Sequence, residues 1–441
     1  MRSLLERAGQ AWRALTPPRR AVLASTLWAV ATLPVLGRLV IGRAADDLKV
    51  FMNGADAVLH GPLVYRDVVF EYPPYALLWF LPPRALSHDL GSFRLAFGLE
   101  MWAADALVKA LLLWHGVRHR GGLHDLTPFL AYSLGSAALG HLLLQRFDLV
   151  PAALTLGAAL AVAGGSALLG GFLVAVGAGT KLYPALLVPV LGVFALRHGR
   201  AGLARFTGGV ALASAPLAVA VFWIPWWRFA SYHVERGLQA ESLLASIVWA
   251  LHFAGVPAGW ALVWRAVEVT GPLAAGLVGP GQLLWVVATL ACLASATWTA
   301  WRLNSVASQP PVGAMAAVLL LPIAAFVATN TVLSPQFHLW LLPLAALVLS
   351  RPPREPEIAL EPAGVPPEAL RAAWCIVAAT LVVPVFYPSR EYAAGLGLWR
   401  TAVLVLRNGL LIYATVCLWS GVRKLRRAIG RQKRVSFSPL A

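Results

Sequence analysis

Residues 43–83 read RAADDLKVFMNGADAVLHGPLVYRDVVFEYPPYALLWFLPP. Counted on to Asp89, this stretch holds Asp46, Asp47, Asp56, Asp67, Glu71 and Asp89, six of the nineteen acidic residues in a chain of 441. The rest is apolar: 59% of residues are hydrophobic and 12% charged, where a soluble domain carries about 25% charged residues. Apolar runs recur from Ala21 to Ser420, many of them long enough to cross roughly 30 Å of hydrocarbon. Their length and composition point to helices, which satisfy their own backbone hydrogen bonds in lipid. The expected fold is therefore an all-α polytopic membrane protein with about 12–14 transmembrane helices, some of them tilted or broken. Within it, residues 43–83 form a polar loop where the first helix emerges. Carboxylates at a bilayer edge cost free energy unless they are solvated or used, which makes this loop the first place to look for a site.

The net charge of +17 sorts by side of the membrane. Arg2, Arg7, Arg13, Arg19 and Arg20 precede the first apolar run, which places the amino terminus in the cytoplasm. Alternation from there puts Arg118 and Arg120, Arg197, Arg200 and Arg205, Arg351 and Arg354, and the run from Arg423 to Arg434 on the same inner side. The opposite face carries few bases, and they are matched by Asp46, Asp47, Asp56, Asp67, Glu71, Asp148, Glu235 and Glu241. Nucleic-acid binding is excluded as a reading of this charge, because no basic run is interleaved with base-stacking aromatics. Cys292, Cys375 and Cys417 stand singly in apolar runs, without metal or redox spacing.

The chain reads as one integral membrane domain, 1–441, with both termini cytoplasmic. A first helix covers about 21–41, and residues 43–91 form the first extracytoplasmic loop. In that loop Phe51, Ala55, Val58 and Leu59 recur at helical spacing opposite Asn53, Asp56 and His60, predicting a short interfacial helix. Residues 75–81 are apolar but too short to span. Further spans are expected at 92–116, 124–144, 149–164, 166–179, 184–196, 205–224, 243–256, 258–278, 282–302, 312–329, 333–350, 371–388 and 396–420. Between the last two pairs of helices lie a Pro- and Glu-rich cytoplasmic linker, 351–370, and beyond the last a basic tail, 421–441.

This topology sends most of the scarce polar residues to one face: Asp46, Asp47, Glu71, Tyr72, Arg146, Asp148, Lys181, Tyr183, Arg236, Glu241, Ser242, Asn330, Gln336 and His338. One extracytoplasmic cavity is the economical reading. Asp46-Asp47 is either a helix-capping and solvation signal or a general base for a hydroxyl proton. Pro73 and Pro74 fix an extended backbone that directs Tyr72 and Tyr75. Lys181, between two apolar helices, either holds an anionic phosphate or anchors a helix end at the interface. Its surroundings are no nucleotide-binding loop, since the glycine spacing fails and no Ser or Thr follows the lysine. Ser334, Gln336 and His338 open a helix and offer hydrogen-bonding groups to a sugar or phosphate. His115, His119 and His124 have metal-like spacing but lie among arginines with no acidic partner, so no metal site is expected. Glu100, Asp105 and Lys109, and likewise Arg265 and Glu268, are spaced for local ion pairs on helices.

Taken in order, Asp47-Leu48, Gly61, Tyr65, Tyr72-Pro73-Pro74, the apolar run ending in Pro82, Lys181 with Pro184, Gln239 with Ser242, and Ser334 with Gln336 and Trp340 resemble glycosyltransferase family 87. The resemblance covers about residues 21 to 345. That family belongs to the GT-C superfamily, polytopic enzymes that take a sugar from a polyprenyl phosphate. The resemblance implies inverting transfer of a hexose, typically mannose, from a polyprenyl-phosphate sugar to a hydroxyl of a glycolipid or glycan on the outer face of the plasma membrane. It implies a lipid-linked co-substrate and no separate cofactor. Asp47 would be the base, with His338 bordering the same cavity as a second catalytic candidate. Lys181, Tyr72, Gln336 and Arg146 would bind donor phosphate or sugar, while Asp46, Glu71, Pro73, Pro74, Glu241 and Ser242 would shape the loop or take the acceptor. The sequence departs from the family's usual pattern at Phe51, where a Tyr is common, and at Gln145-Arg146-Phe147-Asp148, which replaces Gly-Gln-x-Asn.

Transfer of an arabinofuranosyl or other polyprenyl-linked sugar is an alternative within this class. Outside it stands a secondary transporter or lipid flippase using Glu100, Asp105 and Arg265. A transporter is expected to put polar groups at the midplane, whereas this chain gathers them at one end. Cysteine labelling in intact cells tests the sidedness: an impermeant reagent should modify Asn53→Cys and spare Arg427→Cys. The reverse pattern contradicts it.

Overall fold

The computed structural model describes residues 14–39, 46–61, 63–120, 126–230, 236–263, 266–305, 311–350, 364–385 and 397–436, and these are mostly helical, with one β-hairpin and connecting loops. Arg265, His124 and most of the 351–370 linker lie outside them. Helix α1, Pro17–Gly37, begins before Ala21 because prolines at its first two positions need no intrahelical N–H partner. Helix α2 is the interfacial helix, Asp46–His60, with Leu48, Phe51 and Ala55 fully buried and Val58 and Leu59 exposed. Gly61, at φ +111°, ends it. The expected short apolar segment is a 3₁₀ turn, Pro74–Trp79, followed by one helical turn, Leu81–Ala85.

Helix α3, Leu90–Arg120, is 31 residues long. Its Asp105 and Lys109 form the local ion pair that their spacing predicts, at 2.6 Å and wholly buried, and Tyr132 donates to the same carboxylate at 3.0 Å. Helix α4, Thr127–Leu139, stops at Gly140, whose φ of +57° breaks the expected 124–144 span and leaves a separate turn, His141–Gln145. Then come α5 (Leu149–Ala163), α6 (Ala167–Thr180), α7 (Val188–Ala195), α8 (Gly199–Ala220) and α9 (Leu243–His252).

The helix expected at 258–278 is not one. Strands β1, Gly259–Val263, and β2, Ala266–Thr270, pair antiparallel, and β2 lies against the segment before α9 through Ala240 N–H to Val267 O and Val269 N–H to Leu238 O, both 2.8 Å. The β-branched and aromatic residues Trp260, Val263, Val267, Val269 and Thr270 favour a strand. Glu268 therefore sits on a strand, accepting from Gly237 N–H at 3.1 Å, and does not share a helical span with Arg265. Helix α10 runs unbroken from Pro272 to Asn304 with Pro280 inside it. Helices α11 (Val312–Thr329), α12 (His338–Val348), α13 (Pro367–Leu381) and α14 (Leu398–Ser436) complete the bundle, and α14 carries the helix on into the basic tail.

Among the described residues six stretches are long and apolar enough to cross a membrane: Pro18–Gly37, Tyr183–Ala220, Pro272–Asn304, Val312–Thr329, Pro367–Val385 and Leu398–Ile429. Helices α5, α6, α9 and the segment Pro335–Val348 are apolar but shorter. Helices α11 and α12 are buried almost throughout and form the bundle's centre. Helices α6 and α8 touch backbone to backbone. A Cβ on Gly171 would lie 2.0 Å from Phe206 O, and one on Gly209 would lie 2.1 Å from Leu168 O. Small residues permit this approach where no hydrophobic effect drives helices together in lipid. The contact fixes α6, whose end delivers Lys181. Gly209→Leu should lower stability in detergent by about 1–3 kcal/mol, while Gly208→Leu, where nothing lies within 4 Å, should not. Equal thermal transitions for the two variants would contradict this packing.

Candidate active site

The loop after α2 is docked onto the end of α6. Tyr75 donates from its hydroxyl to Ala213 O at 2.5 Å, and its ring covers Gly179, where an added Cβ would lie only 2.4 Å from it. Trp79 Nε1 donates to Thr180 Oγ1 at 3.1 Å. Pro73 is extended, at φ −60° and ψ 158°, and Pro74 opens the 3₁₀ turn, so the two prolines aim Tyr75 as their stiffness predicts. Tyr65 takes a left-handed backbone, φ +72°, and its hydroxyl donates to Tyr72 O at 2.6 Å. That conformation is uncommon without glycine, and the bond is one of the contacts that hold it.

Around this loop the aromatic rings close. Phe51 stacks on Phe80 at 4.5 Å between centroids and meets Phe147 edge-on at 5.5 Å, so the phenylalanine at this position packs in an apolar centre. Tyr72 meets Phe147 at 4.8 Å. Burial, and then the nearby carboxylates Glu71 and Asp47, hold the Tyr72 hydroxyl well above the ordinary phenol range, against an opposing pull from Arg146. Tyr72 therefore stays protonated and can act as a hydrogen-bond donor; Glu71 shares a hydrogen bond with it.

Two ion pairs lie beside these rings. Asp47, in the first turn of α2, pairs with Arg146. Asp148, two residues on and nearly fully buried, pairs with Lys181 at 2.6 Å, and the same carboxylate oxygen accepts from Trp340 Nε1 at 2.7 Å. Asp148 occupies the N-cap position of α5 but makes no capping bond with its side chain. Four rings surround the Lys181 ammonium: Phe147 at 4.8 Å, Trp340 at 5.2 Å, Tyr72 at 5.6 Å and Phe337 at 5.9 Å. Their faces attract a cation and keep bulk water from it. Lys181 is thus a walled cation and not a solvent-facing anchor. The structure brings Asp47, Arg146, Tyr72, Glu71 and Lys181 into one neighbourhood. Asp46 begins α2.

Glu241 and Ser242 belong to a second cluster. Arg407, fully buried in α14, pairs with the Glu241 carboxylate and donates to Glu241 O at 2.6 Å. Asn408 Nδ2 donates to the carbonyls of Glu241 and Ser242 at 3.2 and 3.1 Å, and Ser242 Oγ caps α9 by accepting from Ala245 N–H at 3.2 Å. Glu241 and Ser242 are thereby tied to α14 and to the start of α9. Gln336 accepts from the Ser334 hydroxyl at 2.5 Å. Phe337 and Trp340, three residues apart on the chain, face Lys181, and His338 points elsewhere: its Nδ1 faces Thr380 Oγ1 at 3.1 Å, and its ring is fully buried near Arg407. His338 thus lines the second cluster and not the ion pairs.

Two residues acquire roles that the sequence reading did not give them. Asp148 stood only among the outer polar residues, although its place two positions after Arg146 was a signal. Arg407 is a lone arginine in an apolar run, which in a membrane marks a paired or functional group.

The model of glycosyltransferase family 87 matches residues 70–335. The chain belongs to that family. The match takes in Tyr72, Arg146, Asp148, Lys181 and Glu241. The protein is accordingly a multi-pass membrane glycosyltransferase, and family 87 membership is consistent with the largely helical architecture. No curated protein matches it in sequence. Among solved structures, ArnT from Cupriavidus metallidurans in the apo state is similar over 93% of this chain and 77% of that chain, at 14% identity and a TM-score of 0.47.

Asp148 and Lys181 should behave as one unit. Removing Asp148 leaves a mostly buried cation unpaired, so Asp148→Ala should cost about 3–5 kcal/mol of stability. The Asp148→Ala/Lys181→Ala double variant should cost less than the two singles added. Strict additivity in unfolding measurements would show that the pair is not coupled.

Proposed function

We propose that this enzyme transfers a hexose, with mannose the first choice, from a polyprenyl-phosphate donor to a hydroxyl of an extracytoplasmic glycolipid or glycan, with inversion at the anomeric carbon. The observation that carries the reading is the adjacency of a carboxylate–guanidinium pair and a walled ammonium, Asp47–Arg146 and Asp148–Lys181, at the end of the bundle where the loop docks. Family 87 membership supplies the reaction class.

The chemistry divides among these groups. The acceptor oxygen forms a bond to the anomeric carbon as the bond from that carbon to the phosphate oxygen breaks. The acceptor's proton passes to Asp47, and polyprenyl phosphate leaves with the bonding electrons. The donor phosphate is a diester with one negative charge, and the leaving group is a monoester that gains a second. Lys181 and Arg146 therefore bind the transition state more tightly than the ground state, which is the condition for raising kcat. In the resting enzyme each cation already holds a carboxylate. A donor phosphate that takes over Arg146 releases Asp47 as a base, so that base and donor become ready together. Tyr72 stays protonated and offers its hydroxyl to a phosphate or sugar oxygen.

Of the two adjacent carboxylates Asp46 and Asp47, the pairing of Asp47 with Arg146 supports Asp47 as the base. Asp47→Asn should bind donor nearly as well as wild type yet turn over about 10²–10⁴-fold more slowly, with Asp46→Asn milder. Lys181→Ala should weaken both donor binding and rate. Product formation by purified protein, with folding checked, is the measurement, and wild-type turnover by Asp47→Asn would remove Asp47 from the mechanism.

A further inference from the structure

At the other end of α7 and α10, away from Lys181, lies a groove of about 610 Å³. Pro189 and Val193 of α7 form one side, and Leu290, Leu293, Trp298 and Trp301 of α10 form the other. It is open to the surrounding lipid, since Leu290, Trp298 and Trp301 are each more than half exposed. Asn304 ties its lower end shut by donating to Val193 O. The volume falls within the roughly 300–1,000 Å³ range of sites that hold one small amphiphile.

Cations gather at this end of the groove. The Arg426 guanidinium lies over the Trp298 ring at 4.4 Å. Arg302, Arg423 and Arg427 stand near enough to act on it electrostatically. Among the described residues these four arginines pair with no carboxylate, in contrast to Lys424, which holds Glu368 at 2.5 Å. Arg302 also keeps a buried Nε–H with no acceptor. Like charges collected at a membrane edge without counter-charge, beside an open apolar groove, lack an anion that carries hydrocarbon.

We propose that this groove and its arginine cluster form a binding site for an anionic phospholipid, with an acyl chain against Leu290, Leu293 and Trp298 and the phosphate on Arg302 and Arg426. Basic pockets between transmembrane helices recognise acidic headgroups in this way. The site is separate from the ion pairs at Lys181, and its failure would leave the proposed transferase reaction untouched. The positive-inside reading places it in the cytoplasmic leaflet.

Native mass spectrometry of the full chain in detergent, titrated with phosphatidylglycerol, phosphatidylcholine or polyprenyl phosphate, tests the proposal. Phosphatidylglycerol should be retained over phosphatidylcholine. The Arg302→Gln/Arg426→Gln variant should lose that preference, with affinity for phosphatidylglycerol falling about fivefold for each arginine and about 20-fold or more together. Ala294→Trp, which fills the groove and keeps the charges, should lower retention independently. Glycosyl transfer should persist in both variants. Equal retention of the two phospholipids, or retention unchanged in both the double-arginine and the Ala294→Trp variants, would overturn the proposal. Preferred binding of polyprenyl phosphate, blocked by Ala294→Trp, would also overturn it and give the groove to the donor's tail.

Discussion

A charge in a low-dielectric setting has to be neutralised nearby, and at this membrane edge the neutralisation is done twice within a few residues. Arg146 answers Asp47 and Lys181 answers Asp148. Buried or half-buried pairs of this kind contribute little net stability, but losing one partner is costly. The surrounding structure is arranged to keep the partners together. Glycine contacts fix α6 against α8, prolines set the course of the loop, and Tyr75 and Trp79 lock that loop to the end of α6. The same neutralised state is what an anionic donor would exchange with, so the stability constraint and the proposed chemistry use the same four side chains.

The second buried charge, Arg407, serves a different purpose. Its pairing with Glu241 and its bond to the Glu241 carbonyl join α14 to the segment that precedes α9, and that segment in turn carries the hairpin. His338 belongs to this layer. Its neighbours Phe337 and Trp340 look towards Lys181, so α12 joins the two clusters across its width.

Much of this was legible in the sequence. Helical period, Pro-Pro stiffness and the scarcity of polar residues are local or compositional signals, and they led to α2, to the loop and to the gathering of Asp47, Tyr72, Arg146 and Lys181. The hairpin at 259–270 was hidden because a mostly apolar stretch, interrupted only by Arg265 and Glu268, reads as a span by length, whereas its β-branched residues and its pairing with Leu238 and Ala240 decide its form. Helix α10 looked like two spans because Gly279-Pro280-Gly281 resembles a break. Pro280 is nonetheless accommodated within a 33-residue helix, as prolines in membrane helices often are. Partner choice was the least legible feature. That Lys181 selects Asp148, and Glu241 selects Arg407 across 166 positions, follows from tertiary packing that no local pattern records.

The central claim is that the paired ion pairs serve sugar transfer from a lipid phosphate. Purified protein in detergent, without any ion gradient, incubated with a panel of polyprenyl-phosphate sugars and a membrane lipid extract, tests it most directly. The account predicts release of free polyprenyl phosphate together with a new glycoside of inverted anomeric configuration from one of the donors. No glycoside from any donor, with the same protein accumulating a lipid or solute when reconstituted in vesicles, would contradict it.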